Sequence, residues 1–196
     1  MNNRIKFIIL VVYFASPDAS SYVLGNFGMT DTSSHFYSIV DRTQFDSLHD
    51  TEFTWLVFTP INDSLSMIPF HKRNEFVQNL SDEQKVLFYI QNLEAAVMGG
   101  LGFLNFYYNY DDYIQGVTSS LMTTHDTAML NVLRGANKIY LTNKNKIRGE
   151  FAPGEWDHLQ KKFSATDSAY FNSRNYTMKL LEQYIRNHSN EFVRFK

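Results

Sequence analysis

Residues 52–69 read "EFTWLVFTPINDSLSMIP", an apolar run that reaches Thr59 and Pro60 and gives way to a polar cluster. A residue before proline favours extended backbone, and proline cannot donate a hydrogen bond to a sheet ladder. Asn62 belongs to the residue types that cap helix N-termini. The stretch therefore predicts a buried strand over residues 53–58, a corner at the proline, and a short helix that begins at Asn62.

The composition indicates a globular chain. Of its 196 residues, 44% are hydrophobic and 19% are charged, which fits one domain with extensions or at most two small domains. The formal net charge of −2 disfavours a dedicated nucleic-acid binder, since that class is usually more basic. The absence of cysteine excludes disulfides, thiolate zinc sites and cysteine nucleophiles, and it does not identify the compartment.

The N-terminus has the layout of a secretory signal peptide. Arg4 and Lys6 precede an apolar run from Phe7 to Ala15, and small polar residues follow. The run is shorter than the roughly 20 residues that span a bilayer. The alternative is a retained strand or anchor, because the run is rich in β-branched residues.

Two helices carry clear sequence signals. Ser81 and Gln84 form a capping box ahead of an apolar stripe that ends at Gly99 and Gly100. Near the C-terminus an apolar stripe again has helical spacing. This second helix lies within residues 167–192. The other predicted elements are a helix within residues 34–48, a loop or irregular strand pair over 102–116, and three short strands over 128–151.

Residues 36–151 resemble a divergent fasciclin (FAS1) domain. The similarity lies in "WLVFTPINDSL" and "VLFYIQN", whereas the closing motif of the family is absent and residues 153–196 have no counterpart. The matching residues are Phe58, Pro60, Asn62, Leu65 and Tyr89. The resemblance implies an α+β fold, a compact β-wedge or small sandwich with helices, and a role in adhesion or scaffolding without catalysis.

This interpretation divides the chain into three parts. Residues 1–21 are expected to be a signal peptide or a retained apolar segment, residues 22–152 a fasciclin-like domain, and residues 153–196 a C-terminal helical extension.

The aromatic segment at residues 102–116 is the main candidate for a binding surface. Tyrosine is favoured at interfaces because its ring is apolar and its hydroxyl remains hydrated. Burial in the core of the same domain is the alternative for about half of these rings. With apolar residues of the C-terminal helix, the predicted interface comprises Phe103, Phe106, Tyr107, Tyr108, Tyr110, Tyr113, Met178, Leu181 and Tyr184.

Polar candidates for chemistry are sparse. The six histidines show no metal-binding spacing, so we expect no metal and no cofactor. An enzyme or glycan site in an aromatic pocket would depend on His125, Asp126, Asp111 and Asp112, although adjacent carboxylates usually belong to a solvated loop.

Two further surface features follow from the sequence. A basic hairpin is expected to be a solvated sheet edge, with an anionic partner as the less favoured interpretation. The hairpin contains Lys138, Lys144, Lys146 and Arg148. Glycosylation at Asn79, Asn175 or Asn187 stays open, and the sequon at Asn62 overlaps the expected cap.

We therefore expect a non-catalytic protein-interaction module that serves as an accessory or scaffolding subunit of a larger assembly, including a membrane-associated one. The expected partners are proteins, not nucleic acids or small-molecule substrates. The expected location is secretory, extracytoplasmic or at an organellar, mitochondrial membrane. A secreted or cell-surface adhesion protein is the first alternative, and a ligand-binding protein or hydrolase with an aromatic pocket is the second.

Overall fold

The computed structural model describes residues 36–196, so the predictions for residues 1–21 lie outside it. The described chain is an assembly of helices with one two-stranded parallel sheet, in which β1 (Ser38–Val40) pairs with β2 (Val193–Phe195). The α-helices are α1 (Arg42–Ser47), α2 (Asp50–Ser66), α3 (Arg73–Gln78), α4 (Asp82–Met98), α5 (Gly102–Tyr110), α6 (Ile114–Thr123), α7 (Thr127–Ile147) and α8 (Glu155–Asn187). Short 3-10 turns lie at Phe70–Lys72, Asp111–Tyr113 and Ser189–Glu191.

The predicted α+β class was wrong. The two three-residue strands are the only β structure among residues 36–196, and they form neither a wedge nor a sandwich. Instead, α4 packs on α5 and α6, while α8 packs on α2, α5 and α7. The hydrophobic core lies between these helices.

The strand predicted at residues 53–58 is part of helix α2. Phe53, Val57 and Ile61 are buried at four-residue intervals, which is the spacing of one helix face. Asn62 lies inside this helix and caps nothing, so the predicted helix start was also wrong. Acidic side chains in the first turn of α2 complement the helix dipole there.

Pro60 is accommodated inside α2 by a distant residue. A proline in a helix lacks the N–H that would bond to the carbonyl four residues earlier, here that of Leu56. The Ser38 hydroxyl, on strand β1, donates to that carbonyl at 2.7 Å. The unpaired carbonyl thus gains a partner, and the proline does not end the helix.

The helix predicted within residues 34–48 forms only in part. β1 occupies the middle of this stretch, and α1 follows it. The Asp41 carboxylate accepts the Gln44 backbone N–H at 2.6 Å and caps the start of α1.

The helix after Ser81 is confirmed. The Ser81 hydroxyl accepts the backbone N–H of Gln84, and the Gln84 side chain accepts from the backbone of Ser81, as a capping box requires. Its buried face packs on α6, where Tyr89 approaches Gly116 so closely that a Cβ would lie 2.3 Å from the ring. A larger residue at position 116 would require the Tyr89 ring to shift.

The segment predicted as a loop at residues 102–116 forms helices α5 and α6. Every residue from Gly102 to Tyr107 is buried, so α5 is enclosed on all sides over this part. The span is short and lies between glycines, and its polar residues Asn105 and Asn109 interrupt the aromatic run, so the sequence pattern did not reveal the helix. The Asp167 carboxylate accepts the Phe103 backbone N–H at 2.8 Å, close to the Cα of Gly102, which has φ +60°.

The three strands predicted at residues 128–151 are helix α7 and the residues that follow it. The buried residues Met129, Leu133, Ala136 and Tyr140 recur at intervals of four and three, which is a helical spacing. The residues interpreted as turns lie within the helix, so the predicted basic hairpin does not exist.

The C-terminal helix is confirmed, and it is longer than predicted because α8 begins at Glu155. Its buried residues include Leu159, Phe163 and Leu181, which belong to the same core as the preceding helices. The core therefore continues across the predicted boundary at residue 152. Among residues 36–196, no helix combines the length and apolarity needed to cross a bilayer.

The enclosure of α5 predicts a large effect of substituting one of its rings. Tyr107 is fully buried and stacks on Tyr140 with ring centroids 4.5 Å apart. We expect Tyr107→Ala to lower the free energy of unfolding by about 3–5 kcal/mol, measured by chemical denaturation, because it leaves a cavity. The control Tyr176→Ala, at a ring that is 55% exposed, should change it by less than about 0.5 kcal/mol. Equal effects of the two substitutions would contradict the placement of α5.

Candidate functional site

The aromatic residues predicted to form an interface lie largely inside the molecule. Phe103, Phe106 and Tyr107 have no exposed surface, and Tyr113 is 8% exposed. Burial raises the pKa of Tyr113 to about 12, with the charge of Asp112 adding to the effect. These four rings fill the core of this chain.

Two other aromatic candidates are half-buried. Tyr108 packs against Phe151 and Trp156, with ring centroids 5.6 and 5.5 Å away. Tyr110 lies beside Tyr113 at 5.7 Å. Both rings therefore also cover the core of their own chain.

The candidates on α8 follow the same pattern. Met178 and Leu181 are buried, and only Tyr184 is half-buried, with its ring 4.4 Å from that of His188. Burial is the main cause that raises the pKa of Tyr184 to about 12. The buried face of α8 thus uses the predicted interface residues for internal packing.

The motif residues that suggested fasciclin also have structural positions. Phe58 and Leu65 are buried on α2, Pro60 and Asn62 are half-buried in the same helix, and Tyr89 covers Gly116.

The acid–base candidates do not converge on one site. Asp126 is fully buried, caps α7 through the Met129 N–H at 2.9 Å, and accepts the Thr177 hydroxyl at 2.6 Å. Asp111 accepts the Tyr140 hydroxyl at 2.6 Å. Tyr140 follows Asp126 by 14 residues of α7, which is about 20 Å along the helix axis. His125, exposed beside Asp126, lies at the same far end.

The adjacent carboxylates Asp111 and Asp112 lie in a cluster of interacting side chains. Asp111 also forms an ion pair with Arg148 at 2.9 Å. Burial is the largest effect on Asp112 and raises the pKa of its carboxyl, helped by the charge of Asp111. Burial and the hydrogen bond from its hydroxyl to Asp111 raise the pKa of Tyr140. This cluster joins the turn after α5 to the C-terminal half of α7.

A buried ion pair that the sequence did not reveal connects α4 to α8. The Glu94 carboxylate is 3% exposed, and it accepts a hydrogen bond from Arg174 Nε at 2.6 Å and one from the Tyr170 hydroxyl. Burial, followed by the charge of Glu94, raises the pKa of Tyr170, so its hydroxyl remains a donor. Arg174 also donates to the Thr51 hydroxyl at 3.3 Å, which brings in α2.

A second carboxylate cluster joins α8 to the start of α2. Glu182 accepts the Asp50 N–H at 2.6 Å, lies 3.0 Å from His49 Nδ1, and accepts from Arg186 Nε at 2.8 Å. Burial, the largest single effect, acts to raise the Glu182 pKa, but these three partners outweigh it and the pKa lies below its usual value. The cluster is a structural anchor for the first turn of α2.

Surface grooves lie along α8 and do not collect the acid–base candidates. One is lined by residues that include Gln160, Ser164 and Phe171, and another by residues that include His49 and Lys179. Within residues 36–196, no group of three or more histidine and carboxylate side chains is arranged to hold a metal ion.

A basic exposed surface lies on α7. We call it the α7 outer face and define it as Asn131, Arg134, Lys138, Leu141 and Asn145, all exposed. These positions follow one side of the helix, opposite the buried residues. Leu141, in the second half of the helix, is 62% exposed.

The charge of α7 is entirely positive. From residue 127 to residue 149 the chain has five basic residues and no acidic one. Lys146 and Arg148 pair with Glu155 and Asp111. In the part of the chain that the structure describes, Arg134, Lys138 and Lys144 form no ion pair with a carboxylate.

The sequence predicted some of the residues of this basic surface but not their arrangement. Lys138, Lys144, Lys146 and Arg148 were recognised as a basic cluster, but the predicted hairpin separated them from Arg134. The helical period of the buried residues in α7 was the signal that could have placed Arg134 and Lys138 on one face.

Comparison with known proteins identifies a family. A family model described as DMP19-like protein matches residues 78–188, which is more than half of the chain. Neither a curated protein nor a solved structure matches it. The family is not fasciclin, so the predicted resemblance was wrong. The match supports neither the adhesion role that the resemblance implied nor the signal peptide predicted from the N-terminal residues.

The buried ion pair gives a testable stability effect. We expect Arg174→Met to cost about 3–5 kcal/mol in chemical denaturation, because it leaves the Glu94 carboxylate buried without its cation. The double variant Glu94→Gln/Arg174→Met should regain part of this loss. Identical stability of the single and double variants would show that Glu94 does not depend on Arg174.

The Glu182 cluster predicts a pH dependence. Since the folded-state pKa of Glu182 is lowered, its ionised form stabilises the fold above the unfolded-state value of about 4.3, and this contribution disappears as pH falls through the folded-state pKa. We expect Glu182→Gln to reduce stability at neutral pH and to flatten its loss toward acid, measured by denaturation at several pH values. The exposed control Glu150→Gln should follow the wild-type curve. If Glu182→Gln loses stability toward acid in the same way as the wild type, ionised Glu182 is not the source of this pH dependence.

Proposed function

This chain belongs to the DMP19-like protein family, and we propose that it is a non-catalytic protein-interaction domain that serves as an accessory subunit of a larger assembly. The observation that carries the proposal is the α7 outer face, which exposes Leu141 between cations that no described carboxylate neutralises. Charged groups without a carboxylate partner on one helix face suit contact with a protein of complementary charge, and Leu141 lies among them.

The interior polar groups support a binding role over a chemical one. Glu94, Asp126 and Glu182 each have partners on other elements and serve to fix helices to each other. Asp167 likewise accepts the Phe103 N–H in the first turn of α5. These carboxylates are occupied by structural hydrogen bonds, which is the usual state of buried charges in a scaffold.

The burial of the aromatic residues favours a binding surface other than the one the sequence indicated. Phe103, Phe106 and Tyr107 are enclosed by neighbouring helices and offer no surface to a partner. Leu141 on α7 is instead one of the exposed apolar residues of the long helices, alongside Phe171 and Tyr176 on α8. A helix is a rigid support, and its outer face can be recognised without rearrangement of the core.

An aromatic-pocket enzyme receives no support from the site geometry. Such an enzyme would need His125 and Asp126 near Asp111 and Asp112, and α7 separates the two pairs by about 20 Å. The Asp126 carboxylate is also fully buried and already accepts two hydrogen bonds.

The proposal is tested by recovery of a partner with the full chain from its native cells. We expect the wild-type chain to co-purify with a protein in stoichiometric amount, and Leu141→Asp to reduce that amount by at least about tenfold, because a charge replaces the apolar contact at the centre of the face. The readout is quantitative mass spectrometry of the purified material, with circular dichroism as the check on folding.

Met122→Asp is the matched control. Met122 is 59% exposed on α6, so its substitution introduces the same charge at a comparably exposed apolar position. We expect this variant to retain the partner. The proposal fails when the wild-type chain has no stoichiometric partner, or when both variants retain it equally.

A further inference from the structure

The unpaired cations of α7 are concentrated on a short part of the helix. Arg134, Lys138 and Leu141 lie at positions i, i+4 and i+7, which span about 10 Å at about 1.5 Å per residue. Lys144 lies one turn beyond, with its ammonium 5.8 Å from the centre of the Tyr140 ring. Three cations and one apolar side chain therefore face solvent within a few turns.

Some other ammonium groups have polar partners nearby. Lys85 pairs with Asp82 at 3.2 Å, and Lys162 donates to the Asn143 side chain at 2.8 Å. Arg134 donates only to the neutral side chain of Asn131, at 3.4 Å. The positive potential of the α7 outer face is thus not cancelled by carboxylates of its own helix, which has none.

We propose that the α7 outer face and Lys144 bind an acidic segment of a partner protein, in which carboxylates meet Arg134, Lys138 and Lys144 and an apolar side chain covers Leu141. This inference rests on the proposed function and adds the chemistry of the partner. Charge complementarity selects the partner and its register, and the contact with Leu141 adds affinity that does not depend on salt.

The observations favour an acidic protein over a nucleic acid. A duplex binder commonly makes about 6–10 phosphate contacts, and this face offers three unpaired cations. The whole chain carries a net charge of −2, which opposes the approach of a polyanion. An exposed leucine at the centre of the face matches the apolar core of a protein interface.

The test uses the full chain and a short fluorescein-labelled peptide of Glu, Leu and Gly, followed by fluorescence anisotropy. We expect binding that weakens as salt is raised, since exposed charges are screened. The same peptide with Gln in place of Glu should bind weakly or not at all. A duplex DNA of similar length serves as the nucleic-acid probe, and it should bind more weakly than the acidic peptide.

The variant Arg134→Glu/Lys138→Glu should weaken binding of the acidic peptide on the order of tenfold. Its matched control is Lys72→Glu/Lys179→Glu, which makes the same change in net charge at exposed lysines outside α7 and should bind as the wild type does. Circular dichroism checks that both variants are folded. A third variant, Leu141→Ser, should weaken binding at high salt as well as at low salt.

Three results would overturn the inference. The first is that the acidic peptide does not bind, and the second is that the two charge-reversal variants lose the same amount of peptide affinity. The third is that the duplex binds more tightly than the peptide and loses affinity in Arg134→Glu/Lys138→Glu. The experiments distinguish failure of this inference about an acidic partner from failure of the proposed function. A native partner that is lost on Leu141→Asp, without binding of the acidic peptide, would overturn only the acidic chemistry. If the peptide binds, Arg134→Glu/Lys138→Glu weakens that binding, and no native partner is recovered, the binding site for acidic segments would stand and the proposed function would be overturned.

Discussion

The enclosure of α5 is the constraint on which the rest of the structure depends. This helix contacts α4, α7 and α8, and its residues from Gly102 to Tyr107 have almost no exposed surface. Stacking of Tyr107 on Tyr140 and the edge contact of Phe103 with Tyr170 fix the two longest helices around it. The aromatic residues therefore specify how the helices pack.

Polar contacts then determine the register of the surrounding helices. The Glu94–Arg174 pair holds α4 to α8, and Glu182 holds α8 to the first turn of α2. Because a carboxylate buried without a partner is costly, each of these contacts disfavours a shifted arrangement. With these interior groups occupied, the recognition surface that we propose is the α7 outer face, where cations without a described carboxylate partner lie beside the exposed Leu141.

The sequence predicted those elements whose signals are local. The capping box at Ser81 and the apolar stripe of the C-terminal helix identified α4 and α8 correctly. Pro60 was misinterpreted as a strand end because the hydroxyl that satisfies the freed carbonyl comes from Ser38, a contact invisible to local reasoning. In α7 the spacing of the buried residues was visible, but the glycine and asparagine residues were given more weight as turns. The candidate site was found only in part, since its geometry requires the helix that places Arg134 beside Lys138.

Amide hydrogen exchange of the full chain tests the central claim most directly. If α5 is the enclosed core, the backbone amides of residues 104–107 should exchange only through global unfolding, with the highest protection in the chain. Exchange of these amides through local opening, at free energies well below that of global unfolding, would contradict the account. In that case the aromatic segment would be accessible, and the assignment of recognition to the outer helix faces would lose its basis.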